Sequence, residues 1–523
     1  MKIKSVKRII SIVLAVAMCS CTFVFAVDDI KAKAQTALKE TMADMEKLLI
    51  ANGSGYGNEW MVMDLALYGC KTESIFTDYF KSIEKHVADT VPTVNVEGAK
   101  NALDKNKSTE TSRLILTLSS MGKYASQIAG YDITEAYNSF KWITRMGHMG
   151  PVWTLIALDT YGYEIADTTI RQQCVDYLLD AQLSNGGWDL AKKNADVDVT
   201  AMTLQALYPY RNQAKVKAAA DKAFEWLSSV QKNDGGFSSW GTDNSESCVQ
   251  VIVACCTWGI DPASDSRFVK NGHSAVENLL TFRVKDSKNG WGFAHVMTDA
   301  ASGSMSYKGG AYNAMATEQA AYGLIAYDKF VNGQSGLYDM SSQKPFSDIK
   351  GNAHQAEIEY CFNAELMNGI GNQKFDPNGK FTRAMLVTTL YRLAGSPKVS
   401  GVPSFTDVPK STWYSDALKW AEDKGIAGGY GNGMFGPEDD ITPEQVWVFL
   451  YRFSKLMGYD VKSSSELSAF SDAQKIDSWA LDAAKWAASK SIIKSADGKL
   501  NAASSANRSL SAMYLARFDQ NVK

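Results

Sequence analysis

Several things are scarce in this 523-residue sequence, and each scarcity narrows the field. Beyond residue 26 there is no long apolar run, so the mature chain carries no expected transmembrane segment. A basic excess is missing too. Lys2, Lys4, Lys7 and Arg8 all fall in the first segment, and without them a formal charge of −3 becomes about −7. With no arginine-rich face either, a nucleic-acid partner is excluded. Cysteines are few; those at 70, 174, 248, 255, 256 and 361 lie mostly inside apolar helical patterns. That placement argues for buried thiols and against a disulfide framework. Strand-type alternation is absent across the N-terminal two-thirds, where glycine punctuates helical periodicity instead.

What is present begins with an export signal. The four basic residues precede an apolar run from Ile9 to Ala26 that closes on Val24-Phe25-Ala26, and acids follow at Asp28 and Asp29. Residues 1–26 therefore read as a cleaved signal peptide, and the protein as secreted.

From about 28 to 335 six apolar helices alternate with helices that have a polar face, such as Asp221 to Gln231. The apolar ones begin near Glu59, Glu110, Pro151, Asp198, Glu246 and Thr317. Helices apolar nearly all round are buried, and amphipathic ones cover them. Six such pairs without polar capping repeats predict a closed all-α ring, with 283–312 as a long loop.

Three hairpins share a turn: Leu178-Leu179…Gln182…Gly186-Gly187-Trp188, Trp226-Leu227…Gln231…Gly235-Gly236-Phe237, and Leu279-Leu280…Asn289-Gly290-Trp291. The glycines permit positive φ, the ring packs back on the helix, and the glutamine is free to bond the next turn. These segments resemble the QW-type repeats of the prenyltransferase and squalene-cyclase superfamily, over roughly residues 35 to 330. The resemblance implies an (α/α)6 toroid, assigned to 27–335.

In triterpene cyclases of that superfamily a protonating motif, Asp-x-Asp-Asp-Thr-Ala, opens one inner helix. Asp196-Val197-Asp198-Val199-Thr200-Ala201 resembles it, with Asp198 on the acid position. Val199 replaces the third aspartate and removes a charge that would raise the acid's pKa. Asp198 and Asp196 are the catalytic candidates. Against them, acids before an apolar helix serve as caps, and Glu59, Glu110, Glu246 and Glu318 are equivalently placed, so capping would account for the whole set. The protein prenyltransferase branch uses zinc, and Glu246-Ser247-Cys248 resembles half of its ligand set. No histidine follows on Asn313 to Glu318, while His273 and His295 fall on loop segments. Cys248 then reads as structural, and neither a metal nor a cofactor is expected.

Parallel inner helices would bring their N-termini to one rim. Glu59, Trp60, Glu110, Trp153, Asp198, Glu246 and Glu318 become candidates for a ligand pocket there, with Trp240 nearby and Trp188 and Trp291 left to turn packing.

After a linker at 336–344, a unit of about sixty residues repeats, over 345–398, 402–460 and 467–523. The units open Phe346-Ser347-Asp348, Phe405-Thr406-Asp407 and Phe470-Ser471-Asp472. Their second helices open Thr382-Arg383, Thr442-Pro443 and Asn507-Arg508. These units resemble S-layer homology modules, which implies a three-module helical prong that binds secondary cell-wall polysaccharide non-covalently. Arg383 and Arg508 match the family arginine, suited to an anionic sugar. Pro443 replaces it in the second module, and Asp348, Asp407 and Asp472 are further polymer-binding candidates that could equally be caps. The sequence thus describes a secreted cell-surface protein, S-layer associated, whose toroid binds an extracellular ligand. The alternatives make the toroid an enzyme, isoprenoid cyclase-like or carbohydrate-active.

Overall fold

The computed structural model describes residues 28–302, 305–463 and 465–523; the expected signal peptide lies outside them. The chain divides into two compact units, one running to residue 125 and from 131 to 343, the other made of 126–130 and 344–523.

The first unit begins with α1, residues 28–52. It continues through α2 (Glu59–Tyr68), α3 (Glu73–Thr90), α4 (Ser108–Ser120), the short α5 (Phe140–Ile143), α6 (Met149–Thr160), α7 (Ile170–Asp180) and α8 (Val197–Leu207). Then come α9 (Ala214–Val230), α10 (Ser245–Thr257), α11 (Ala275–Thr281) and α12 (Ala314–Val331). The even-numbered helices α2, α4, α6, α8, α10 and α12 pack each against the next, and α12 returns to α2, closing a ring. In α10 every residue from Ser245 to Cys256 is buried, as an inner helix of such a ring requires. By contrast α9 buries one stripe, Val216, Ala219, Ala220, Ala223, Phe224 and Leu227. The expected all-α toroid is the fold of this unit.

The glycine turns brace neighbouring hairpins. Gln182 Nε2 donates to Gly186 O and to Ala219 O of α9, both at 2.8 Å. Gln231 repeats this toward Gly235 O and Phe268 O, both at 2.9 Å. The third turn has no glutamine; Asp44 of α1 accepts from the Trp291 amide at 2.8 Å in its place.

Two stretches differ from expectation. Residues 283–312 hold two separate antiparallel hairpins, with Arg283–Asp286 paired to Gly290–Phe293 across a turn that Gly290 closes at φ +76°, and Ala300–Ser302 paired to Met305–Tyr307. The stretch expected as a linker is packed: Leu337 and Met340 are buried, and the Met340 amide donates to Thr160 O at the end of α6.

The second unit holds α13 (Gln355–Asn363), α14 (Arg383–Leu393), α15 (Ser415–Asp423), α16 (Pro443–Met457), α17 (Leu481–Ser489) and α18 (Arg508–Asn521). Each repeat supplies two helices, but they pair across repeats: α14 with α15, α16 with α17, and α18 with α13. The chain thereby forms a closed three-membered cycle.

Gly235 tests the brace. Its φ is +80°, and a Cβ there would meet Ser274 O at 2.4 Å, whereas Gly259 has φ +75° and open space around it. Gly259→Ala should cost only the left-handed strain, about 1–2 kcal/mol. Gly235→Ala should cost clearly more, read as the difference in urea midpoints.

Candidate functional site

The N-terminal ends of α8, α10 and α12 converge on one mouth of the ring. A cavity of about 330 Å³ opens there between Asp196, Asp198, Glu246, His295, Trp240 and Tyr307. A smaller one of about 190 Å³ continues inward, lined by Trp60, Trp153, Asp198, Glu318, Gln319 and Tyr322. Asp198, Met202, Met315 and Gln319 belong to both.

Asp196 caps α8, as the sequence suggested, but Asp198, Glu246 and Glu318 do not cap their helices. The caps are Asp196, Asn244 and Asn313, whose side chains accept from Val199 N, Ser247 N and Ala316 N. With those first-turn amides satisfied from outside the helix, Asp198, Glu246 and Glu318 are left to face the lumen. One oxygen of Asp198 has no hydrogen-bond partner. Burial first, then the Asp196 carboxylate and Glu246, push the Asp198 carboxyl up to about 7, against the Ser247 hydroxyl and His295, which pull it down. Glu318 is likewise pushed up to about 7, by burial and then Glu59. Deeper in the ring, Asp64 is fully buried with both carboxyl oxygens unpartnered, and burial drives its pKa well above the usual carboxylate range. The apolar run around it hid this acid from sequence reading.

Glu246 meets His295 Nδ1 at 2.8 Å, and this hydrogen bond raises the imidazole's pKa. His295 arrives on the segment between the two hairpins of 283–307 and packs on the Tyr307 ring at 4.2 Å. The sequence placed it on a loop, and nothing local linked it to Glu246. Cys248 is not drawn into the pair; its Sγ lies 3.3 Å from Asn278 Oδ1.

The other rim candidates divide. Trp60 and Trp153 pack edge to face at 5.6 Å and line the inner cavity. Glu59 and Glu110 instead flank Arg113, which pairs with both. Trp188 is buried, its Nε1 donating to Leu178 O at 2.7 Å, and Trp291 lies under the Arg283 guanidinium.

Trp240 is different from these. It tips a two-residue hairpin between Ser238–Ser239 and Thr242–Asp243, with φ +52° at Trp240 and +77° at Gly241. Asn or Asp is the usual residue at that first position, and a bulky side chain there costs about 1–2 kcal/mol. The ring is also 74% exposed. Ser239 Oγ donates to Asp196 Oδ2 at 2.5 Å, so the strained hairpin is fastened to the acid site.

In the second unit the early aspartates hold loops. Asp348 accepts from the amides of Phe375 and Asp376, Asp407 from Phe435 and Gly436, and Asp472 from Leu500 and Asn501. The arginines join repeats. Arg383 donates to Phe435 O and Gly428 O of the second repeat, Arg508 to Phe375 O and Asn368 O of the first. At the remaining junction, where Pro443 stands, the Glu444 amide donates to Ala502 O. Both guanidiniums are buried, and both lie over aromatic rings: Arg383 over Tyr430, Phe435 and Phe449, Arg508 over Phe375.

Fold and sites together define an all-α toroid joined to S-layer homology repeats. Residues 345–384, 404–446 and 469–505 match the S-layer homology domain, and 180–267 match the squalene-hopene cyclase C-terminal domain. The chain is similar to an amylopullulanase of Thermoanaerobacterium thermosulfurigenes, 26% identical over 60% of this chain and 15% of the relative. It is similar to a cell surface protein of Thermoanaerobacter kivui, 30% identical over 21% of this chain and 15% of the relative. A cellulosome-anchoring protein of Acetivibrio thermocellus matches at 25% over 23% of this chain and 26% of the relative. The chain thus spans about a quarter or less of these relatives' length. The three repeats mark it as a cell-surface protein, and among the described residues no helix is long and apolar enough to cross a membrane.

The raised carboxyl of Asp198 has a measurable cost. Because its folded pKa of about 7 exceeds the unfolded value, stability falls as pH rises from about 4 to 7 and then levels off. Asp198→Asn should match the parent at pH 4 and exceed it at pH 8 by on the order of 2–4 kcal/mol in urea unfolding.

Proposed function

We propose that this is an exported protein held non-covalently on secondary cell-wall polysaccharide by its three repeats, and that its toroid receives an extracellular ligand at the acidic mouth. The observation that supports the toroid's role is the convergence of Asp198 and the Glu246–His295 pair on one cavity, beside Asp196, while Asp196 and Asn244 take the capping of their helices. A merely structural ring would have used Asp198 and Glu246 as caps too. The repeats, and relatives named for the cell surface and for cellulosome anchoring, support the wall tether.

One observation favours a second reading, in which the toroid is an enzyme and Asp198 its general acid. A carboxyl held near 7 beside a second aspartate retains a proton to give at neutral pH, as acid catalysis needs. Val199 stands where the triterpene cyclases carry a further aspartate, and an exported protein meets neither cytosolic diphosphates nor membrane-dissolved squalene. Ligand binding is therefore the first reading.

For the anchor, Arg383 and Arg508 are proposed to present their cationic edge to an anionic sugar while their remaining donors bond backbone. Asp348, Asp407 and Asp472 shape the same grooves by fixing the loops. The test is co-sedimentation of the full chain with purified walls, before and after stripping the secondary polymer. Arg383→Lys keeps the charge and loses the fork, and should weaken sedimentation by about one to two orders of magnitude, equivalent to about 1.5–3 kcal/mol. A thermal melt on the same sample separates lost binding from lost fold. Equal sedimentation with stripped walls would remove the anchoring assignment.

A further inference from the structure

The class of ligand follows from what lines the mouth, an argument that rests on reading this cavity as a ligand site. Among the described residues three that line it are acids, Asp196, Asp198 and Glu246, and none is lysine or arginine. Its one basic group, His295, is already engaged by Glu246. With Glu246 and His295 offsetting each other, a diphosphate, a sulfate or a carboxylate would meet Asp196 and, above about pH 7, Asp198 as unbalanced negative charge. A ligand that carries positive charge finds the reverse.

The lip agrees with that charge. Trp240 combines two unfavourable features, a left-handed backbone and a largely exposed indole, at a residue that lines the cavity. Strain of this kind persists where the surroundings enforce it and clusters at ligand contacts. Here the enforcing contacts are visible. Ser239 ties one strand of the hairpin to Asp196, and Lys232 and Ser238 hold Asp243 of the other. The indole is thus presented at a fixed place beside the carboxylates. Indole is the best π-face for a cation, and its attraction adds to theirs. Leu190 and Met315, each about half exposed, complete a soft apolar border suited to alkyl groups on such a cation.

We propose that the toroid's acidic mouth binds an organic cation with an alkylated ammonium head, seated between the Trp240 indole and the Asp196–Asp198 carboxyl pair. A hydrated metal ion would not need the indole, and a neutral sugar would not need the excess of acids.

Charge at this place also titrates. Asp198 faces Asp196 from its own helix region, Glu246 and Ser247 from α10, and His295 from the hairpin segment. As pH rises through about 7, Asp198 gains a negative charge and cation affinity should rise. Proton donation from the same carboxyl would fade over that range, so the pH profile separates the cation site from the acid-catalyst reading.

The experiment is calorimetric titration of the full chain with three probes: choline, its neutral isostere 3,3-dimethylbutan-1-ol, and pyrophosphate. Choline should bind saturably, more tightly at pH 8 than at pH 6. The neutral isostere should be at least about tenfold weaker and pyrophosphate silent. Trp240→Asn, which gives the turn a residue it favours, should unfold at the same or higher temperature yet lower choline affinity about three- to thirtyfold. Asp198→Asn should reduce the rise with pH, leaving the smaller part that Glu318 and His295 contribute. If the alcohol binds as tightly as choline and both weaken in Trp240→Asn, the pocket stands and the cationic ligand is refuted. Choline binding that ignores Trp240→Asn refutes the seat proposed for it. Silence of choline and the alcohol alike counts against both the cation and the pocket.

Discussion

The contact of α12 with α2 is the constraint from which the toroid's other properties follow. Helices as uniformly apolar as α10 cannot end a row, because a terminal helix would leave a wide apolar flank in water. Closing the row removes both ends at once. It also fixes where the first turns go. Successive inner helices separated by a returning segment run the same way, so their N-termini are gathered at one rim. Acids that would be dispersed along an open array are brought into one mouth, where burial and Glu246 of α10 add to the effect that Asp196, two residues away, has on Asp198. The elevated pKa of Asp198 is thus a product of ring geometry as much as of the residue itself.

In the second unit the organising interaction is the arginine fork. Guanidinium keeps its charge when buried and offers donors in a fixed plane, which suits it to bonding two carbonyls of a neighbouring repeat while lying on an aromatic face. Arg383 and Arg508 do this at two junctions, and the aspartates fix the loops that present the carbonyls. The third junction has no arginine fork, since Pro443 stands at that place, and is held by the Glu444 and Ala506 amides on Ala502 O and Ile441 O and by the Glu444 carboxylate on the Asp477 amide. Three similar sequences have therefore produced grooves that are not equivalent.

Much of the fold was legible because its signals are local. Gln182 and Gln231 lie four residues before the glycines they brace, and glycine followed by an aromatic permits little else. The candidate site was legible in part, for a reason also local. Asp198 and Glu246 could be placed at helix starts, yet the residues that decide their role could not be identified from the pattern. Asn244 and Asn313 take over the capping, and His295 comes from 49 residues beyond Glu246, on the loop between two hairpins that fix its place. Trp240 could be placed near the rim, but its tight hairpin with Gly241 could not be foreseen, because a tryptophan is the wrong residue for that turn. Asp64 was concealed by the apolar residues beside it.

The cross-pairing of helices in the second unit sets a counting rule. Each repeat offers one helix to its successor and one to its predecessor, and the series closes when α18 reaches back to α13. A lone repeat would carry two bare helical faces, and a pair of repeats would still carry two. Three is the smallest number that leaves none. Taking out any one repeat would therefore uncover two helical faces at once, so the three stand or fall together as one folding unit.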